Sequence, residues 1–385
     1  MTNLQKGLQR EILLFKEAIE SDGGSIPEVS KAAFCKARKK LKPSAFSSLS
    51  DIIIKNFYGS GEEKTWHGYR VLGVDGSSVV LPNSNEIKEA YGIFRTQEGN
   101  RAISRGRTML VYDVLNHITL YGAMGTIKQS EKAMLWDCLP NLQLNSKDIL
   151  VFDRGYPSHL LFLYLQKRKV QFCFRMQKNW WKDIERFYNS GNASAVVTLT
   201  LPERENESAA ELEITERKFK CRLVKVELEG GETEILLTSF LDNTISVADL
   251  QELYGFRWPI EDAYKTFKHK VCLGNFSGKS QKAVLQDFYV KLFIMNLTAV
   301  AVRPINEALK KNTVRVKYTY QVNTIEAIAT MKRSVVSFFV TGQIAKGISR
   351  LIGRISKITE PIRPGRKFKR HHQPKQKHHM NYKPV

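Results

Sequence analysis

Ile149-Leu-Val-Phe-Asp153-Arg-Gly-Tyr156 decides the fold: an unbroken apolar run ends on an aspartate and is followed at once by a turn. Such a short run reads as a buried strand with a carboxylate at its end. Upstream, Val71, Leu72 and Val74 lead into Asp75 as another buried strand. Thr108 to Leu115 and Ile118 to Thr126 read as two further strands joined at Asn116-His117, and Ser130 to Leu139 is helical. The order is therefore three strands, a helix and a fourth strand, with acids on the first and the fourth. Downstream, the stretch 177–241 alternates apolar and polar residues in Val196 to Leu201, Leu212 to Phe219, Arg222 to Glu229 and Glu234 to Phe240. Gly230-Gly231 supplies a hairpin turn, so this stretch reads as an antiparallel β insertion.

A third acid follows the insertion in Tyr254-Gly-Phe-Arg257-Trp-Pro-Ile-Glu261-Asp-Ala-Tyr-Lys-Thr-Phe-Lys268. At roughly 100° per residue, Tyr254, Arg257, Glu261 and Lys268 fall within about 60° of one another on a helix. Carboxylates bind hard divalent cations, and Arg and Lys grip phosphate oxygens, so this face has the parts of a phosphoryl-transfer site. Ser246-Val-Ala-Asp249 is a capping-box-like start for its helix. Pro259 interrupts the pattern, so the common face is firmer for Glu261 and Lys268 than for Tyr254 and Arg257. Two cations about 3.5–4 Å apart need several carboxylates converging from different elements. Asp75, Asp153 and Glu261 supply three.

These motifs resemble those of the DDE-type insertion-sequence transposases with a tyrosine-arginine-glutamate-lysine signature, the IS-four family. The resemblance covers roughly residues 30 to 300 and rests on the Asp153-Arg-Gly-Tyr156 box, the Val71-Leu-Gly-Val-Asp75 strand and the 254–268 signature together. It implies an α/β, ribonuclease-H-like catalytic core interrupted by a β insertion, with a helical N-terminal region. It also implies catalytic Asp75, Asp153 and Glu261 holding two Mg²⁺ or Mn²⁺ ions, with Tyr254, Arg257, Lys268 and Arg154 on DNA. The partners implied are double-stranded DNA with terminal inverted repeats, target DNA and a second copy of the chain. A ribonuclease-H-like nuclease without strand transfer, and an inactive DNA-binding descendant, stand beside the transposase reading.

Charge agrees with a polyanionic partner: 60 Lys+Arg face 38 Asp+Glu, a formal net charge of +22. Part of that excess sits in the N-terminal region. Leu8, Ile12, Phe15 and Ile19 mark an amphipathic helix ended by Gly23-Gly24, and a second helix spans Glu28 to Leu41. Its Lys36, Arg38, Lys39 and Lys40 belong to a segment without an acid, which suits DNA-end binding, or equally a solvated face. The regions expected are thus 1–65 for DNA binding, 66–176 for the first part of the core, 177–241 for the insertion, 242–345 for the rest of the core, and 346–385 as a basic tail.

The five cysteines form no Cys-x-x-Cys pair, which speaks against a zinc site and for a reducing compartment. The N-terminus lacks the layout of a signal peptide, and Val290 to Val302 is too short for a bilayer, so the expected place is the cytoplasm. Leu285, Phe288, Leu292, Met295 and Ala299 form a core-packing stripe on a helix expected to break at Pro304.

Overall fold

The structure is a computed structural model describing residues 7–21, 23–95, 102–227, 231–271, 273–312, 318–342 and 344–363. The chain opens with helices α1 (Leu8–Ser21), α2 (Lys31–Lys40) and α3 (Ser44–Gly59), followed by strand β1 (Arg70–Val80), α4 (Asn85–Tyr91) and β2 (Ile93–Arg95). Then come β3 (Ala102–Asp113), β4 (Ile118–Thr126), α5 (Glu131–Cys138), β5 (Asp148–Phe152), α6 (His159–Lys167) and β6 (Gln171–Met176). The middle of the chain forms α7 (Lys182–Asn189), β7 (Ser194–Thr200), α8 (Asn206–Glu211), β8 (Lys218–Glu227), β9 (Thr233–Thr238), α9 (Val247–Gly255) and α10 (Trp258–Lys265). It ends with α11 (Gln281–Asn312), β10 (Tyr320–Val322), α12 (Thr324–Thr341), α13 (Ile344–Ile355) and β11 (Thr359–Pro361). Two compact units divide these elements. One holds Glu62–Ser77 and Arg107–Tyr264; the other holds Met1–Gly61, Ser78–Gly106 and Lys265–Val385.

In the first of these units the strand order is β4-β3-β1-β5-β6-β9-β8-β7. β1, β5 and β6 run parallel, with Val74 opposite Phe152 and Phe152 opposite Phe174. A parallel sheet covered on both faces needs apolar residues on both, which is why every residue of β5 is buried. Phe152 and Phe174 stack with centroids 4.4 Å apart, and Phe162 from α6 meets Phe174 edge-on at 4.7 Å. Opposite the apolar core, Arg70 closes the start of β1 and β5 by a forked pair to buried Asp148, at 2.7 and 2.9 Å.

The strands of the insertion join the core sheet: β9 pairs antiparallel with β6, so β9, β8 and β7 extend it. The stretch Leu212 to Phe219 is not a strand along its length, because α8 precedes it and β8 begins only at Lys218. Its apolar alternation comes from Ile214, which buries itself from a loop. Of the expected hairpin turn, Gly231 has φ +79°, the left-handed region that glycine tolerates; Gly230 lies outside the described residues.

In the other unit the N-terminal region is not a module apart from the C-terminal helices. α3 packs along α11, where buried Asn296 donates to Ser50 Oγ at 2.8 Å. α3 itself, which starts after Pro43 without a side-chain cap, was not foreseen. α11 runs straight through Pro304 to Asn312, contrary to the expected break. Pro304 is exposed, so its ring meets solvent rather than the packed side of the helix. Gln281–Lys311 is long and apolar enough to cross a membrane by length and composition alone, yet its buried side carries Gln286, Asp287, Lys291 and Asn296. Lys291 donates to the carbonyls of Leu273 and Asn275. Of the predicted stripe, Phe288 and Leu292 are buried and Leu285, Met295 and Ala299 half-buried. The region from residue 346 is not all tail: α13 fills its start and β11 pairs antiparallel with β10. The basic stretch 364–385 lies outside the described residues.

Candidate active site

Strand register brings the first two acids together. Since Val74, Phe152 and Phe174 are aligned, the next residues on the three parallel strands are Asp75, Asp153 and Arg175. Asp75 lies within β1, where the Gly76 N–H donates to its Oδ1 at 2.9 Å. Asp153 follows the last residue of β5 and accepts from the Tyr254 hydroxyl at 3.3 Å.

The third acid is positioned by docking of α10 on β1. A Cβ on Gly73 would stand 3.3 Å from Ile260 Cβ, so the absence of a side chain there is what lets the helix approach. Tyr264, one turn on, donates to the Asp75 carbonyl at 2.9 Å. Ile260, Ala263 and Tyr264 are the buried side of α10, and Glu261 is left 31% exposed.

The signature does not occupy one uninterrupted helix face. Ser246 and Asp249 do form the expected capping box, but α9 ends at Gly255 and α10 starts at Trp258. Pro259 sits in the first turn of α10, where a missing N–H is harmless. Tyr254 and Arg257 reach the acids from the joint between helices instead. Lys268 lies on a π-helical turn, Thr266–Lys270, so the 100° spacing does not carry to it.

Arginines face the acids from inside. Arg257 Nη1 lies 2.8 Å from Glu261 Oε1, and the Arg257 side chain is only 6% exposed. Its guanidinium stands 4.8 Å over the Trp258 ring and 5.7 Å over Tyr254. Without DNA, Arg257, expected to hold a phosphate, pairs with Glu261. Arg175 bridges Glu234, at 2.5 Å, and Asp153, at 3.7 Å. Asp75 has no such partner, and burial, with Glu131 and Glu261 nearby, pushes its carboxyl up to about 6. Arg154 is exposed.

The outlying candidates separate as well. Arg38 does not project from the basic helix: its Nε donates to Gln286 Oε1 at 2.7 Å and its Nη2 pairs with Asp287 at 3.0 Å. It also bonds Ser277 and the Ala283 carbonyl, so it ties α2 to the start of α11 and the segment before it. Lys36, Lys39 and Lys40 are exposed, which suits DNA binding and a solvated face alike. Arg175, Glu131, Glu234 and Tyr264 were missed. The signal for Arg175 was slight: it is the charge that ends the apolar run Phe172-Cys-Phe174.

Asp75, Asp153 and Glu261 offer hard oxygen donors, the set that suits a divalent cation such as Mg²⁺ or Mn²⁺ in kind. Among the described residues no three acid, His or Cys side chains stand as a ready metal cluster. Arg257 and Arg175 take up part of the negative charge that a cation would otherwise meet.

The protein is α/β, with Asp75 and Asp153 at aligned positions of neighbouring parallel strands and Glu261 on a helix docked against the first. The chain belongs to the family described as the transposase DDE domain, whose pattern matches residues 66–297, more than half of it. It is 24% identical over 295 residues to the transposase InsG for insertion sequence element IS4 of Escherichia coli (strain K12). That alignment covers 74% of this chain and 64% of the relative, so the chain spans just under two thirds of that protein's length. A structure of the piggyBac transposase synaptic complex with hairpin DNA aligns over 97% of this chain and 81% of that one. Its TM-score of 0.44 and 9% identity carry no argument here.

Proposed function

We propose that the chain is a DNA transposase, which cleaves DNA at transposon ends to expose a 3′-hydroxyl and joins that hydroxyl to target DNA. The observation that carries this reading is the alignment of Asp75 and Asp153 on adjacent parallel strands, with Glu261 brought to them by the docking of α10. Family membership supports it, and the order β4-β3-β1-β5-β6 supports a ribonuclease-H-like core.

Asp75, Asp153 and Glu261 would hold one or two Mg²⁺ or Mn²⁺ ions. Such ions, when bound, make an attacking oxygen more acidic and stabilise the charge on a leaving one. The chain's own residues do the rest. Asp153 and Glu261 are each about a third exposed, open to a substrate from one side. Tyr254 fixes the Asp153 carboxylate, and Arg257 fixes that of Glu261. A phosphate entering the site would compete for the same guanidinium groups, so Arg257 and Arg175 can pass from carboxylate to phosphate without leaving their places. Tyr254, Arg257, Glu261 and Lys268 follow the spacing of the tyrosine-arginine-glutamate-lysine signature, with Arg154 on the exposed turn of the box. The expected substrate is duplex DNA with terminal inverted repeats, engaged by two copies of the chain, and the place of action is the bacterial cytoplasm or nucleoid. Lys36, Lys39 and Lys40 would add sequence-independent phosphate contacts.

The test is incubation of the protein with Mg²⁺ and DNA carrying the element's own ends. Nicks bearing a 3′-hydroxyl, followed by joined products, are expected. Cleavage without joining would reduce the function to that of a nuclease, and no cleavage in either Mg²⁺ or Mn²⁺ would overturn the reading.

A further inference from the structure

One carboxylate beside the centre has no part in the signature. Glu131 is the first residue of α5, behind the cap Ser130, and its side chain turns back to the sheet. Oε1 pairs with Arg107 Nη1 at 2.8 Å, and Oε2 accepts from the Tyr156 hydroxyl at 3.3 Å. Its Cγ and Cδ each lie 2.4 Å from where a Cβ on Gly76 would stand, and the three atoms nearest to that point all belong to Glu131. Gly76 directly follows Asp75, and Tyr156 closes the turn that begins at Asp153, its N–H donating to the Asp153 carbonyl at 3.2 Å. A single side chain therefore touches the backbone behind the first acid and the aromatic that closes the turn of the second.

We propose that Glu131 is a positioning residue: it braces the strand position of Asp75 against the Asp153 turn, and Gly76 is glycine in order to admit it. The proposal rests on the transposase reading of the centre and adds to it a residue that no signature contains. Its basis is shape. Arg107 and Tyr156 hold the carboxylate from two sides, and Gly76 lies flat beneath it. Nothing else requires a glycine there, since Gly76 is not in the left-handed region and the nearest atoms that an added methyl would strike are those of Glu131.

That geometry gives a double-mutant test with a sign that an ordinary packing residue would not show. Gly76→Ala must push Glu131 aside and is expected to reproduce the defect of Glu131→Ala. Both are expected to slow end cleavage about 10–100-fold and to weaken Mn²⁺ binding, followed by electron paramagnetic resonance on the DNA-free protein, by a similar factor. With Glu131 already removed, the Gly76→Ala methyl has room, so the double variant should be no worse than Glu131→Ala. Glu131→Gln keeps the shape and an acceptor for Tyr156 or Arg107, and should stay within about threefold of the wild type. A double variant slowed by the product of the two single losses would overturn the brace. So would a Glu131→Gln as damaged as Glu131→Ala, which would make the residue a charge rather than a support. If Glu131→Ala does not fold, Gly76→Ala decides alone: wild-type cleavage and wild-type Mn²⁺ affinity would end the proposal. Failure of the transposase reading would look different, as wild-type protein that cuts no element end; the Mn²⁺ titrations would then still judge the brace.

Discussion

Arg38 on the basic helix and Arg175 and Arg257 near the acids are the same residue type, and the carboxylates they pair with differ in exposure. Arg38 is held on every side: Asp287, its ion partner, is only 9% exposed and also bonds Ser277, and Gln286, Ser277 and the Ala283 carbonyl each accept a further hydrogen bond from it. Arg257 instead pairs with Glu261, which stays 31% exposed, and Arg175 stands between the two cases, 2.5 Å from buried Glu234 and 3.7 Å from Asp153, which is 36% exposed. A buried cation whose carboxylate remains open to solvent can exchange that partner for a phosphate or a metal ion. One whose carboxylate is sealed is holding helices together. Sequence shows the cation and not the exposure of its partner, so the two cases look alike until the chain is folded.

The largest effects should come from the open carboxylates. Asp75→Ala, Asp153→Ala and Glu261→Ala are each expected to lower end cleavage in Mg²⁺ by about 10³-fold or more while leaving DNA affinity nearly unchanged. Cleavage assays beside gel-shift titrations decide this, and a variant that cuts at even a tenth of the wild-type rate removes its residue from the centre. The sealed pair predicts the opposite division. Arg38→Ala leaves the Asp287 carboxylate buried without its cation and should cost about 3 kcal/mol of stability. Urea unfolding would show it, and a loss below about 1 kcal/mol would mean that Arg38 is no more structural than its lysine neighbours.

How far the sequence could be read follows the same line. Asp75 and Asp153 stood out because each ends or interrupts a short apolar run, a local pattern, and Glu261 because it stands in one short stretch with Tyr254, Arg257 and Lys268. Arg175 was not, because what places it beside Asp153 is the pairing of β5 with β6, a long-range register that no window of sequence contains. Gly76 and Glu131 were hidden for the same reason: neither is unusual until α5 folds back onto β1. The passage of α11 through Pro304 went against a sound local rule, since one missing hydrogen bond at an exposed position is small beside the packing of a helix this long against α3. The strand expected from Leu212 failed because alternation alone does not separate a strand from a loop that buries one side chain.

A smaller effect sharpens the comparison through pH. Asp75, which makes no arginine ion pair among the described residues although Arg257 is near enough to lower its pKa, has its carboxyl raised by burial from 3.8 to about 6 in the folded protein. The folded state then holds a proton that the unfolded chain has lost between those two values. Stability of the metal-free protein must therefore fall as pH rises through that window and stay lower above it. Asp75→Asn removes the loss. It should melt about 1–3 °C above the wild type at pH 8 and level with it below about pH 4. Equal melting temperatures at pH 8 would show that Arg257 and solvent already satisfy the Asp75 charge.

The smallest effect belongs to the exposed lysines of the basic helix, which share their segment with Arg38 and none of its partners. Lys36, Lys39 and Lys40 stand in solvent, so replacing any of them by alanine should change folding stability by less than about 0.5 kcal/mol. If they touch DNA phosphates, each releases counterions on binding. The plot of log affinity against log salt should then lose about 0.9 in slope for every lysine removed, equally for element ends and for random duplex. A triple variant compared with wild type across a salt series reads this directly. An unchanged slope would make the helix a solvated face. A loss confined to the element's own ends would instead show that these lysines take part in reading sequence, a role that point charges on phosphates cannot supply.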